Sequence, residues 1–216
     1  MPTLTTQNGL NILHLGAGEN RFTLEMIGEL EQAVDKVVED VLPLVTIAEG
    51  KFFSNGLDVD WMRAHPDEAR AYSARVQALF ARFLTLPVPT VAAVNGHAFG
   101  AGSLLATAHD WRVMRSDRGF FCFPEVDIDM SFGRGFSALI QVKFTPRTAL
   151  DAMTTGYRYG GEEAREAGLV DATASEGQLL EVARARVAGL AGKNPVALGA
   201  IKATMYAEAV DRLNQR

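Results

Sequence analysis

Apolar residues in this chain gather into short unbroken runs separated by glycine-rich turns, with helical periodicity in the longer stretches between them. Two runs, Leu44–Ala48 and Thr90–Val94, are continuous enough to read as buried strands. Residues 3–15 instead alternate around Asn8-Gly9, which predicts a hairpin. Thr23 precedes Met26, Ile27, Leu30, Val34, Val37 and Val38 at helical spacing, so a capped helix is expected from near Leu24. A polar stretch over 66–85 carries Val76, Leu79, Phe80 and Phe83 on one face, and Pro87 and Pro89 stop it. Farther on, Ser103–Ala108 reads as a buried helix, and Asp110–Arg115 and Gly119–Phe123 as strands. Helices are expected over Ser137–Phe144, from Pro146 through Met153, over Glu162–Ala167 and 176–191, and from Pro195 to about Leu213. Strands alternating with helices predict an α/β fold. No fixed-period repeat is present.

The turns after the two buried runs carry the candidate chemistry. They read Phe53-Ser54-Asn55-Gly56-Leu57-Asp58 and Asn95-Gly96-His97-Ala98-Phe99-Gly100-Ala101-Gly102. A glycine-rich strand-to-helix turn leaves backbone N–H groups free at a helix start, where they favour negative charge. Two such turns converging on one oxygen would form an oxyanion hole. Glu125, in Phe123-Pro124-Glu125-Val126-Asp127, is the candidate base. Its neighbours Phe121, Phe123, Val126 and Ile128 predict a desolvated carboxyl with a raised pKa. Asp127 and Asp129 are rival carboxylates, because Asp127, two positions along a strand, would share Glu125's face. The set suits chemistry passing through an enolate. Asp58 is expected to cap the helix after the first turn. Ser103 lacks a GxSxG elbow and a paired histidine. His97, Trp61, Met62 and Trp111 read as packing residues.

Composition narrows the classes. The 216 residues are 48% apolar and 22% charged, which suits one globular domain or a domain with a small appendage. A net charge of −5 offers no overall attraction to nucleic acid. Cys122 is the single cysteine, which excludes an internal disulfide and a CxxC pair, and the four histidines show no metal-ligand spacing. No apolar stretch approaches the roughly 18 residues that span a membrane, so no membrane partner is expected. Met1–Thr6 lacks the regions of a signal peptide, and Leu213-Asn214-Gln215-Arg216 is not a Ser-Lys-Leu type address.

In order and spacing, these segments resemble the crotonase superfamily of enoyl-CoA hydratases and isomerases, with the short plant-type Δ3,Δ2-enoyl-CoA isomerases the nearest group. The similarity runs from Asn20-Arg21-Phe22 to Gly168-Leu169-Val170-Asp171. It is densest in Gly50–Gly56, Asn95-Gly96-His97-Ala98, Asp117-Arg118-Gly119 and Glu125-Val126-Asp127-Ile128. The resemblance implies a crotonase-like spiral of ββα units over residues 1–145, holding the active site. A short helical C-terminal region over 146–216 would then serve assembly into a homotrimer or a dimer of trimers. Leu150, Met153, Leu169, Val187 and Leu190 exceed what a thin appendage buries alone. The implied partner is an acyl-CoA thioester, with no metal or redox cofactor. Leu57 and Ala101 would supply the oxyanion N–H groups and Glu125 the base. Arg21 would meet the CoA phosphates, and Phe53, Ser54, Asn55, Gly56, Asp58, Gly100 and Leu104 would adjoin the substrate. Family hydratases place a second glutamate where Leu104 stands. A lone carboxylate moves a proton between carbons but positions water poorly, so a 3-to-2 double-bond shift is expected over hydration. Thioester hydrolysis, decarboxylation and non-catalytic CoA binding are the alternatives. Plant relatives work in peroxisomes, so the different C-terminal residues point to the cytosol.

Overall fold

The structure, a computed structural model, describes residues 1–215. The expected hairpin forms: β1 (Thr3–Gln7) pairs antiparallel with β2 (Leu10–His14), with Asn8 and Gly9 both at positive φ. One motif then recurs. A strand enters a large sheet, a sharp corner sends a second short strand into a small sheet, and helical chain returns. Thus β3 (Leu44–Ile47), β5 (Thr90–Val94) and β7 (Trp111–Arg115) lie in the large sheet. Their followers β4 (Phe52–Ser54), β6 (His97–Phe99) and β8 (Phe121–Cys122) form the small one, all parallel. With β9 (Ala172–Ala174) the large sheet runs β1-β2-β3-β5-β7-β9, parallel after the hairpin. Successive corners stack on bare backbone: a β-carbon on Gly96 would lie 2.2 Å from the Lys51 carbonyl oxygen. No larger residue fits there.

Ten α-helices complete the described chain: α1 (Leu24–Asp40), α2 (Val59–Ala64), α3 (Ala69–Leu84), α4 (Ala101–Ala108), α5 (Arg134–Lys143), α6 (Pro146–Thr155), α7 (Gly161–Glu166), α8 (Leu179–Ala188), α9 (Pro195–Met205) and α10 (Ala207–Leu213). Thr23 caps α1, accepting from the Met26 N–H at 3.1 Å. Apolar faces of α1, α3, α4 and α5 close one side of the large sheet around Phe22, Phe53, Phe80, Phe83 and Leu139. On the other side, Val45, Val91 and Val113 meet Leu179, Ala183 and Val187 of α8. Both faces of the parallel strands are therefore covered, which explains their unbroken apolar runs.

Several expectations change. The strands β4, β6 and β9 are three residues each, too short to show a period. The strand expected at Gly119–Phe123 shrinks to two residues, because Pro124 lacks a ladder donor and a 3₁₀ turn, Glu125–Ile128, follows. Residues 176–191 split into a 3₁₀ turn, Glu176–Gln178, and α8; the last helix breaks at Tyr206. Chain beyond residue 145 returns to the large sheet, where β9 pairs with β7 and α8 packs on β5 and β7. Of the apolar residues expected to face partners, Leu169 and Val187 are buried within the chain, while Leu150 is exposed.

Helix α9 is inside out. Val196, Ile201 and Met205 face outward, and its one buried side chain is Lys202. The Lys202 ammonium donates to the Val88 carbonyl at 2.8 Å and meets Asp110 at 2.7 Å. Nearby, the Lys143 ammonium donates to the His109 carbonyl at 2.7 Å, and burial pushes its pKa down to about 7. Among the described residues, no helix is long and apolar enough to cross a membrane, and no cluster of three His, Cys, Asp or Glu is placed for a metal.

Candidate active site

The two glycine-rich turns touch. Gly56 has φ +85, and a β-carbon there would lie 2.7 Å from the Phe99 carbonyl oxygen and 3.2 Å from the Ala101 nitrogen. Residues that sequence reasoning passed over hold the first turn. The Asn20 amide donates to the Phe52 and Phe53 carbonyls at 3.3 and 3.1 Å. The Tyr72 hydroxyl donates to the Phe22 carbonyl at 2.6 Å and accepts from the Asp58 N–H at 2.9 Å. Burial pushes the Tyr72 phenol up to about 12. Its place one turn before Val76 was the available signal. Ser54 is buried behind the turn, donating to the Asn20 carbonyl at 2.7 Å and accepting from the Gly56 N–H at 3.2 Å.

What remains free is informative. Among the described residues, neither the Leu57 nor the Ala101 N–H donates a hydrogen bond. Ala101 opens α4, whose first internal anchor is the Leu104 N–H to the Gly100 carbonyl at 3.0 Å. Its amide therefore carries the positive end of a helix dipole. Asp58 caps α2 by accepting from the Trp61 N–H at 3.2 Å, so the second helix start is also fixed.

Glu125 stands across from these amides at the start of its 3₁₀ turn. A β-carbon on Gly100 would lie 3.6 Å from Glu125 Oε1, so the glycine gives the carboxyl room. Glu125 Oε2 is buried with no hydrogen-bond partner. Desolvation raises its pKa to about 7, and only its own backbone N–H counters this. Asp127 does not share this face, because the backbone is helical here and not extended. It is exposed, with its carboxylate packed against Gly156, and Asp129 is exposed as well.

A cleft of about 380 Å³ joins these groups, lined by Arg21, Asn55, Gly56, Leu57, Gly100, Ala101 and Glu125. Val59, Asp60, Arg63, Phe99, Pro124, Ile128, Met130 and Arg158 also line it, none of them assigned from sequence. Arg21 is at this cleft, held by Glu19 at 2.6 Å and Asp60 at 3.4 Å. Phe53, Ser54, Asp58 and Leu104 do not line it. Phe53 and Leu104 are core residues, and Leu104, 1% exposed, is no wall of the cleft. Ser103 is occupied in bonds to the Ala98 and Cys122 carbonyls at 2.6 and 3.0 Å. His97 stacks against Phe99 as packing. A wider groove of about 750 Å³ between α5 and α10, lined by Arg134, Gln141, Glu208 and Arg212, holds no such pairing of free amides and a buried carboxyl.

An arrangement of two unpaired amides facing a desolvated carboxyl can bind a carbonyl oxygen and move a proton beside it. Residues 6–216 match the family described as Enoyl-CoA hydratase/isomerase. Peroxisomal enoyl-CoA delta isomerase 2 of Arabidopsis thaliana is 38% identical over 190 residues, covering 82% of this chain and 79% of the relative. Enoyl-CoA delta isomerase 3 of the same plant is 37% identical, covering 82% and 78%. An enoyl-CoA isomerase of Mycobacterium tuberculosis superposes with a TM-score of 0.90 at 25% identity, covering 98% of this chain and 93% of that one. The chain, by sequence and by its crotonase fold, belongs to the enoyl-CoA hydratase/isomerase family.

Proposed function

We propose that this protein is a Δ3,Δ2-enoyl-CoA isomerase. The observation that carries the reading is one desolvated carboxyl, Glu125, whose Oε2 is buried without a partner, in one cleft with the free amides of Leu57 and Ala101. Among the described residues the only other acid lining the cleft, Asp60, is exposed and engaged by Arg21 and Arg63 at 3.4 and 3.7 Å. In this reading the thioester oxygen accepts from both amides. Ionised Glu125 removes a proton from C2, and the electron pair spreads through the dienolate onto that oxygen. The protonated Glu125 then returns the proton to C4, leaving the double bond between C2 and C3. One oxyanion donor is typically worth about 3–4 kcal/mol of barrier. Hydration would need a second carboxyl to activate water, and among the described residues no unengaged acid besides Glu125 lines the cleft. The expected result is conversion of 3-hexenoyl-CoA to 2-hexenoyl-CoA, much faster than hydration of crotonyl-CoA. Comparable rates on both would refute the isomerase reading.

The protein is also proposed to act as a homotrimer or a dimer of trimers. Supporting this, α9 turns Val196, Ile201 and Met205 to the outside, at 80%, 60% and 62% exposure, while burying a lysine. A helix so oriented has its apolar side available for another copy of the chain. Light scattering at micromolar concentration should give an oligomer, and Ile201→Asp should dissociate it. A stable wild-type monomer would exclude assembly.

A further inference from the structure

Among the described residues three arginines line the cleft, and their surroundings differ. Arg21 and Arg63 are engaged by Glu19 and Asp60. Arg158 is exposed and has no carboxylate within 4 Å among the described residues; its guanidinium lies over the Phe99 ring at 5.8 Å. A ring beneath the guanidinium narrows its conformations and leaves its edge donors open.

The position of Arg158 follows from the small sheet. Its neighbour Tyr159 bridges Phe121 of β8, with N–H to carbonyl distances of 2.9 and 3.1 Å. Tyr159 therefore extends the sheet beyond β8. Across the ends of the small sheet the order is Leu57 after β4, with Arg21 brought beside it by the Phe22–Leu57 bridge, then Ala101 after β6, Glu125 after β8, and Arg158 at the far edge. Two strand spacings, roughly 10 Å, separate the second turn from that edge. Under the isomerase reading, on which this inference rests, the carbonyl lies between Leu57 and Ala101 and C2 to C4 lie at Glu125. The CoA end then leads toward Arg21 and the acyl end toward Arg158.

We propose that Arg158 binds an anionic group at the far end of the acyl chain, so that CoA esters of unsaturated dicarboxylic acids are preferred substrates. A planar guanidinium with no carboxylate partner among the described residues is matched to a carboxylate in a way that a methyl end is not. The reaction is unchanged: the same proton moves from C2 to C4, and the distal carboxylate takes no part in it.

The test is binding of adipoyl-CoA, hexanoyl-CoA and CoA to the wild type, Arg158→Gln and Arg158→Lys by titration calorimetry. These saturated ligands cannot isomerise, so the result stands apart from turnover. Wild type should bind adipoyl-CoA at least about fivefold more tightly than hexanoyl-CoA, as for a charge-assisted pair. Arg158→Gln should erase that difference without weakening CoA, and Arg158→Lys should keep part of it. Among the described residues the Arg158 side chain makes no hydrogen bond or ion pair, so the melting temperature of these variants should be little changed. Equal wild-type affinities for the two esters overturn the proposal. So does an Arg158→Gln variant that loses CoA affinity as much as adipoyl-CoA affinity, which would assign the arginine to the CoA phosphates. Turnover of 3-hexenoyl-CoA separately tests the isomerase reading.

Discussion

A β-carbon on Gly56 would lie 3.2 Å from the Ala101 nitrogen, although the two residues belong to different turns of the spiral. That contact brings two free amides to one cleft, and it depends on Gly56 having neither a side chain nor a negative φ. Gly56→Ala should therefore spread the turns. Its φ of +85 and the 2.7 Å approach to the Phe99 oxygen both oppose a methyl group. Stability should fall by about 1–3 kcal/mol, and kcat by ~10² or more through misplaced oxyanion donors. Urea unfolding and steady-state kinetics measure the two effects. A variant with near-normal kcat would mean that the amides do not act together.

Glu125→Gln keeps the shape of the side chain and removes the proton acceptor. Activity should drop by about 10²–10⁴, with saturated acyl-CoA binding retained. In the wild type, kcat/KM should rise with pH through about 7, as the carboxyl ionises. A Gln variant with near-full turnover, alongside an inactive Asp127→Asn, would move the base to Asp127.

Stability should show a minimum near pH 7, from two half-buried groups of opposite sign. The folded pKa of Glu125 is raised from 4.5 to about 7, so its contribution is complete below pH 4.5 and is lost as pH rises through 7. Lys143 is lowered from 10.5 to about 7, so its contribution is complete above pH 10.5 and is lost as pH falls through 7. Melting curves across pH should lose the acid limb in Glu125→Gln and the alkaline limb in Lys143→Met. At about 1.4 kcal/mol per pKa unit, shifts from 4.5 to about 7 and from 10.5 to about 7 put each limb on the order of 3–5 kcal/mol. Unchanged limbs in both variants would count against these assignments.

Placing an acid at position 104 should not create a hydratase. Leu104 is 1% exposed and packed in the core, behind the turn and away from the cleft lining. Leu104→Glu should cost about 2–5 kcal/mol from a buried, unpaired carboxyl and a lost core side chain, with no gain in crotonyl-CoA hydration. Measurable hydratase activity in a folded variant would show that this position reaches the cleft after all.

The local order of this protein was legible in its sequence. Thr23 and Asp58 announce helix starts because a side-chain oxygen beside a free N–H is a local interaction. The runs at 44–48 and 90–94 announce buried parallel strands because both of their faces exclude water. Glu125 and the two glycine turns stood out for similar reasons, and the motif spacing pointed to the family. Whether the turns meet was beyond such local rules, since Gly56 reaches Ala101 only through stacked corners of the spiral. The tertiary fold likewise sent Leu104 and Phe53 into the core, brought Tyr72 and Asn20 to support the first turn, and carried Arg158 to the edge of the cleft. It also turned Asp127 away from Glu125, because Pro124 ends the strand and a 3₁₀ turn rotates the following residues off a shared face. Apolar pattern specifies that a residue is buried, but the neighbours it meets depend on contacts between distant segments.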